Sequence, residues 1–330
     1  MHILRSLSAA AALLLATAVP AHAAGSYHVA HTYQLGVSGG WDYLTLDAST
    51  HTLYISQGDK IVVFDTQSGI VTGKITGMAH THGVVLSADG KTLYVSDGGA
   101  GLVRIVDRAT LTQTGTIPVG TNPDGMVLEP TTGHLFVFNG KSKDLSVIDL
   151  TSNKVIALVP LPGKPEFPVA DGAGNVYDNI EDLHQLIRID AAQNKIAETI
   201  TLNDCESPSG QAIDAASKRA FSVCDNGHMT VTALLGLKQI ATAPIGAGPD
   251  ATAFDPAQKL IFSSNGGDGT LSIIREIKPN EYLPVQTVQT APKGRTLALN
   301  SATGDIYIVA PDPAFTGTGP KPLILLEISK

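Results

Sequence analysis

Seven residues, Asp42, His82, Asp124, Glu166, Ser209, Asp250 and Arg295, stand at one nearly fixed distance before seven aromatic residues, and six of the seven can carry charge. The aromatics are Tyr54, Tyr94, Phe136, Tyr177, Phe221, Phe262 and Tyr307, and the offset is 12 residues in six cases and 11 for Glu166 and Tyr177. Carboxylates, an imidazole and a guanidinium held at one level can bind a cation, grip a substrate carboxylate or move a proton. An imidazole with an ordinary pKa of roughly 6.5 suits His82 to act as a base near neutrality. Arg295 offers the planar fork that clamps a carboxylate. Asp124 and Asp250 lie in Asn122-Pro-Asp-Gly125 and Gly248-Pro-Asp-Ala251, where turn chemistry alone also favours Asp. His82, Glu166 and Arg295 break that pattern while keeping a polar group, so an enzyme built on this ring would use those three. A second tier, Asp97, Asn139, Glu181 and Asn265, follows the aromatics and offers oxygens for a divalent cation or a polar ligand. Trp41, beside Asp42, is either an aromatic wall for a planar or cationic ligand or a packing residue.

A common level requires a repeat, and the aromatic spacings of 40, 42, 41, 44, 41 and 45 residues supply one. That period is typical of four-stranded propeller blades. The expectation is an all-β, seven-bladed β-propeller with the ring residues at the start of each innermost strand, on the top face. Gly, Asp and Asn in stretches such as 86–94 and 299–307 supply the positive φ of tight hairpins between strands a and b. Strand c ends in an acid at Asp65, Asp107, Asp149, Asp190 and Glu327, placed to accept backbone N–H groups of the turn into strand d. Ala233 and Arg275 replace it in blades five and six, so those turns should be built differently. After Tyr307 the chain has room only for strand c, Leu323 to Ile328. The stretch Tyr27 to Val37 is therefore expected to serve as the outer strand of blade seven and close the ring. Gly, Pro and Thr between Pro311 and Pro322 predict a long loop over the top face. An open β-solenoid is the alternative, and it leaves the split blade unexplained.

Residues 1–23 read as an export signal: Arg5, an apolar run from Leu7 to Val19, then Pro20 and the small-residue triplet Ala21, His22, Ala23. Residues 24–330 then form one propeller domain, periplasmic or secreted and without membrane insertion, since no stretch reaches the roughly 20 apolar residues that spanning needs. The formal charge is -8, and removal of Arg5 makes it one unit more negative. Scattered cations and an acidic balance argue against nucleic acid, single-stranded DNA or RNA included. Cys205 and Cys224, the two cysteines, both fall at the top of blade five and are expected to form a disulfide after export; a thiolate metal site is the alternative. No Gly-x-Ser-x-Gly elbow is present.

The repeat core Leu93-Tyr-Val-Ser-Asp97 resembles that of the YVTN-repeat proteins. Within them, the chain looks like the YncE-like periplasmic seven-bladed propellers. The further motifs that carry the resemblance are Gly40-Trp-Asp-Tyr43, His80-Thr-His-Gly83, Gly163-Lys-Pro-Glu-Phe167, Asn179-Ile-Glu-Asp182, Cys205-Glu-Ser-Pro208 and Cys224-Asp-Asn226. The resemblance implies the fold and leaves the function open. The leading expectation is a monomeric binding or scaffold protein, with no certain cofactor, whose top face holds a small ligand, a metal ion or a partner's loop. The first alternative is a lyase or lactonase using His82, Glu166 and Arg295, with a divalent ion possible, and the second is single-stranded nucleic-acid binding.

Overall fold

The computed structural model describes residues 26–330, so the expected export signal lies outside the described residues. Seven antiparallel four-stranded sheets follow one another around an axis. Blades one to six occupy residues 44–75, 81–118, 123–160, 169–201, 208–244 and 249–289. Blade seven combines Thr296–Leu299, Ile306–Pro311 and Pro322–Ser329 with the N-terminal strand His28–Ser38. Adjacent innermost strands contact each other all the way round, including first against last, so the ring is closed rather than a solenoid. Among the described residues, helix is confined to two three-residue turns at Ala48–Thr50 and Glu181–Leu183.

The seven marker aromatics all sit on strand b and are buried between blades. Two residues later the repeat places a hydrogen-bonding side chain in four blades. Each donates across to the carbonyl of the next blade's ring residue: Ser56 to His82, Ser96 to Asp124 (2.7 Å), Asn179 to Ser209 (2.8 Å) and Ser264 to Arg295. These bonds join neighbouring blades at the level of the site, which gives the polar position in the repeat a physical reason.

Asp65, Asp107, Asp149 and Asp190 cap the turns after strand c as expected, each accepting backbone N–H groups two or three residues on. Glu327 does not. It lies within the last strand and accepts the Tyr33 hydroxyl of the N-terminal strand at 2.7 Å, so it binds the two chain ends together instead of closing a turn. Blade six, which has Arg275 in place of the acid, extends its outer hairpin to Lys278 and turns at Asn280. In the a–b hairpins the left-handed residue is Gly90, Gly133 or Gly304 in some blades and His51, Lys218 or Lys259 in others.

Candidate functional site

The position one residue after each ring residue decides what fills the channel. It reads Tyr43, Gly83, Gly125, Phe167, Gly210, Ala251 and Thr296. Small residues let the inner strands approach: a Cβ on Gly125 would come within 2.4 Å of Pro168 Cδ, and one on Gly210 within 2.6 Å of Ala251 Cα. The two large exceptions, from blades one and four, are nearly opposite in a seven-membered ring. Their rings meet at 4.9 Å. Tyr43 and Phe167 therefore span the channel and give the top-face opening an aromatic floor.

Above that floor lies a cavity of about 300 Å³. Among its lining residues are six acids, Asp42, Asp124, Glu166, Glu181, Asp225 and Asp250, and two cations, Lys164 and Arg295. Lys164 pairs with Glu166 (2.6 Å) and with Glu181. Arg295 pairs with Asp250, donates to the Trp41 carbonyl at 3.1 Å, and lies with its guanidinium carbon 5.8 Å from the centre of the Trp41 ring. Three acids, Asp42, Asp124 and Asp225, thus remain without a Lys or Arg partner inside the cavity. Burial pushes Asp124 up to about 6 against relief from His82 and Lys164, with the charges of Asp42 and Asp250 adding to the rise. Burial likewise lifts Asp250 to about 6, although Arg295 opposes the shift. Glu166 is held well above its ordinary value by burial and by Asp124. The Tyr43 phenol is raised by burial and by Asp124, Glu166, Asp42 and Asp250 together. The mouth of the channel carries an excess of acids over cations.

His82 stands behind this wall rather than in it. Its Nδ1 is 2.6 Å from Asp42 and 3.5 Å from Asp124, and the opposite edge of the ring abuts Gly98. Burial disfavours its charged form, yet the hydrogen bond to Asp42 and the charges of Asp124, Asp42 and Asp97 raise its pKa. Its Nδ1–H is thus the bridge between two carboxylates. Ligand atoms of Asp42, His82 and Asp124 lie within 4.8 Å of one another, a spacing that suits a metal ion once His82 gives up that proton.

The structure brings Asp42, Asp124, Glu166, Ser209, Asp250, Arg295 and Glu181 to one cavity. It places Asp97, Asn139 and Asn265 elsewhere. Asp97 accepts from Ala79 N and His80 N at 3.0 Å each and pairs with Arg104 at 2.6 Å. Asn139 donates to Asp144 and Ser146, and Asn265 to Thr270 and Ser272. These three hold loops and hairpins of their own blades. Trp41 lines a separate, neighbouring groove. Sequence reasoning passed over Tyr43, Phe167 and Lys164; the column after the ring residues, small except for Tyr43, Phe167 and Thr296, was the available signal. Cys205 and Cys224 are disulfide-bonded, bracing the segment that carries Ser207 and Ser209 into the cavity.

Asp178, on strand b of blade four, is fully buried, and neither carboxyl oxygen has a hydrogen-bond partner. The nearby Glu166 N–H is already given to the Asn179 carbonyl at 3.0 Å. Burial, then the charges of Glu166 and Asp124, drive its pKa well above the ordinary value, which favours the neutral form. Keeping it protonated costs stability that an amide does not. Asp178→Asn is expected to raise stability by roughly 1–3 kcal/mol near pH 7.5 and by much less near pH 4, read by urea denaturation at both values. A loss of stability at the higher pH would show that the carboxyl is ionised and paired.

No family model matches the chain. A curated protein described as 6-phosphogluconolactonase, from Xenorhabdus nematophila, is 26% identical over 220 residues, which is 59% of this chain and 60% of that protein. The chain thus spans less than two thirds of the length of this relative. Among solved structures, hydrazine synthase of Kuenenia stuttgartiensis superposes with a TM-score of 0.73 at 17% identity, covering 82% of this chain and 92% of that one. The structure of U3-55K gives 0.77 at 11% identity over 91% and 99%. A chain of the mitotic checkpoint complex gives 0.76 at 15% identity over 99% of both. Proteins this dissimilar in sequence share an architecture, and what this chain is shown to be is a seven-bladed β-propeller.

Proposed function

We propose that this protein is an exported binding protein of the YncE-like kind whose channel mouth captures a small organic cation. The carrying observation is the excess of acids over cations in one cavity, six against two, above an aromatic floor. Carboxylates and aromatic faces together are what an ammonium group requires on leaving water. Burial first, and mutual repulsion in addition, lift Asp124, Asp250 and Glu166, and a bound cation favours the charged form of all three. Export is supported by the leader at residues 1–23 and by the disulfide.

The test is thermal denaturation near pH 7.5 with putrescine, and separately with Ca²⁺ or Mn²⁺. Putrescine at about a hundred times its Kd is expected to stabilise the protein by about 2.7 kcal/mol. The effect should vanish in Asp124→Asn/Asp250→Asn. A response to the metals alone would instead favour the Asp42, His82 and Asp124 cluster. No response to any of these cations would remove the reading.

A lactonase is the second reading, supported by the relative described as 6-phosphogluconolactonase. Glu166 and Arg295 share the cavity as that reading needs, but His82 does not line it. Six acids around the opening also oppose a phosphorylated substrate. Direct assay of 6-phosphogluconolactone hydrolysis, with Glu166→Gln as control, decides it: turnover that depends on Glu166 would put the enzyme first.

A further inference from the structure

We propose that the groove beside the channel mouth is a second, independent site that takes a small planar organic anion, an aromatic carboxylate in the simplest case. The groove has a volume of about 510 Å³. Its walls are the Trp41 indole, Pro292 and three prolines of the 311–322 segment, with Lys293 and Lys321 beside them. No acid lines it, in contrast with the adjoining cavity and its six. The two openings on one face therefore have opposite charge preference.

Three features make this a built surface. Proline rings have a fixed φ, so walls made of them lose little freedom when a flat ligand settles between them. Trp41 is held on one side by Arg295, whose guanidinium faces its ring and whose Nη2 donates to its carbonyl. The lysine backbones are also pinned. Lys293 adopts a left-handed φ of 68° with its N–H donated to the Gly266 carbonyl at 2.7 Å, and Lys321 precedes Pro322, whose carbonyl accepts from Asp312 N at 2.8 Å. The lysine ion pairs among the described residues involve other lysines, so both ammonium groups are available.

An aromatic ring stacked on the indole, with its carboxylate toward two ammonium groups, satisfies the groove's apolar and charged parts together. A neutral aromatic meets only the first requirement. An aliphatic acid of the same size meets only the second.

Trp41 is the single tryptophan of the chain, so its emission reports on this groove and, through Arg295, on the adjoining cavity. Titration of the full protein with benzoate is expected to change that emission saturably, with a Kd of order 0.1–1 mM, as a small fragment allows. Benzyl alcohol and acetate are expected to bind at least tenfold more weakly. Lys293→Gln/Lys321→Gln should weaken benzoate at least tenfold while leaving the putrescine response intact, which separates this site from the cation site. Calorimetry with Trp41→Leu, expected to abolish benzoate heat, provides a readout independent of emission. Absence of saturable binding, equal binding of benzyl alcohol, or full affinity in the double lysine variant would each overturn the proposal.

Discussion

Raising the pH from about 4.5 to about 7.5 is expected to lower the stability of the ligand-free protein by roughly 3–5 kcal/mol, seen as a falling urea midpoint. Asp124 and Asp250 each have a folded value of about 6 against an ordinary 3.8, so the folded state holds protons that the unfolded chain has released. That contribution is present at low pH and lost as the pH climbs through about 6. Glu166 is raised in the same direction. The raised imidazole of His82 adds to the trend, because its stabilisation is complete below the unfolded value of about 6.5 and disappears as the pH passes the higher folded one. The turn acids Asp65, Asp107 and Asp149 are lowered by backbone and hydroxyl hydrogen bonds, and their contribution fails only below about 3.8, beneath this window. Asp124→Asn/Asp250→Asn should flatten the curve, and saturating putrescine should flatten it in the wild type. A wild-type curve that is level or rises would mean that the cavity carboxyls are relieved some other way, and the cation reading would lose its basis.

Deleting residues 26–38 is expected to abolish cooperative folding and to yield oligomers on size exclusion. Tyr27 and Leu35 are buried at 4% and 1% exposure, and full burial of such side chains is worth about 1.5–3 kcal/mol each. Tyr27 also exchanges hydrogen bonds with Gln286 of blade six, at 3.0 and 2.6 Å. Without this strand the last one, Pro322–Ser329, presents an unpaired edge of Leu, Ile, Leu and Leu, a template for pairing with another chain. Leu35→Asp tests the same point with the chain intact and should cost about 3 kcal/mol or more. A synthetic 26–38 peptide added in trans should restore part of the folding. A truncated monomer with the wild-type midpoint would show that the ring does not depend on this strand.

Much of this architecture could be read from seven aromatics, because a period near 42 residues and a missing outer strand leave few solutions. The level of the ring was legible for the same reason: a fixed offset on a repeated strand becomes a fixed height. What the sequence concealed were relationships across the channel and between loops. Tyr43 and Phe167 are 124 residues apart in the numbering and meet only because blades one and four face each other. Lys164 reaches Glu181 because a segment before strand a of blade four runs beside the turn after strand b. Asp97 looked like a site residue by position, but its partners, Ala79 N, His80 N and Arg104, come from the neighbouring loop and strand. His82 looked like a free base, and only the packing of three blades shows it held between two acids.

The segment His28–Ser38 is the first strand of the fold to be synthesised, and its hydrogen-bonding partner Pro322–Ser329 is the last. Its register cannot be set until residues 322–329 have left the ribosome. The six intervening sheets can collapse early through local contacts, whereas the final zipping must bring together segments separated by nearly the whole chain, a slow step by the logic of contact order. Until then the apolar strand Pro322–Ser329 stays unshielded on one edge, and a holding chaperone would find its natural target there.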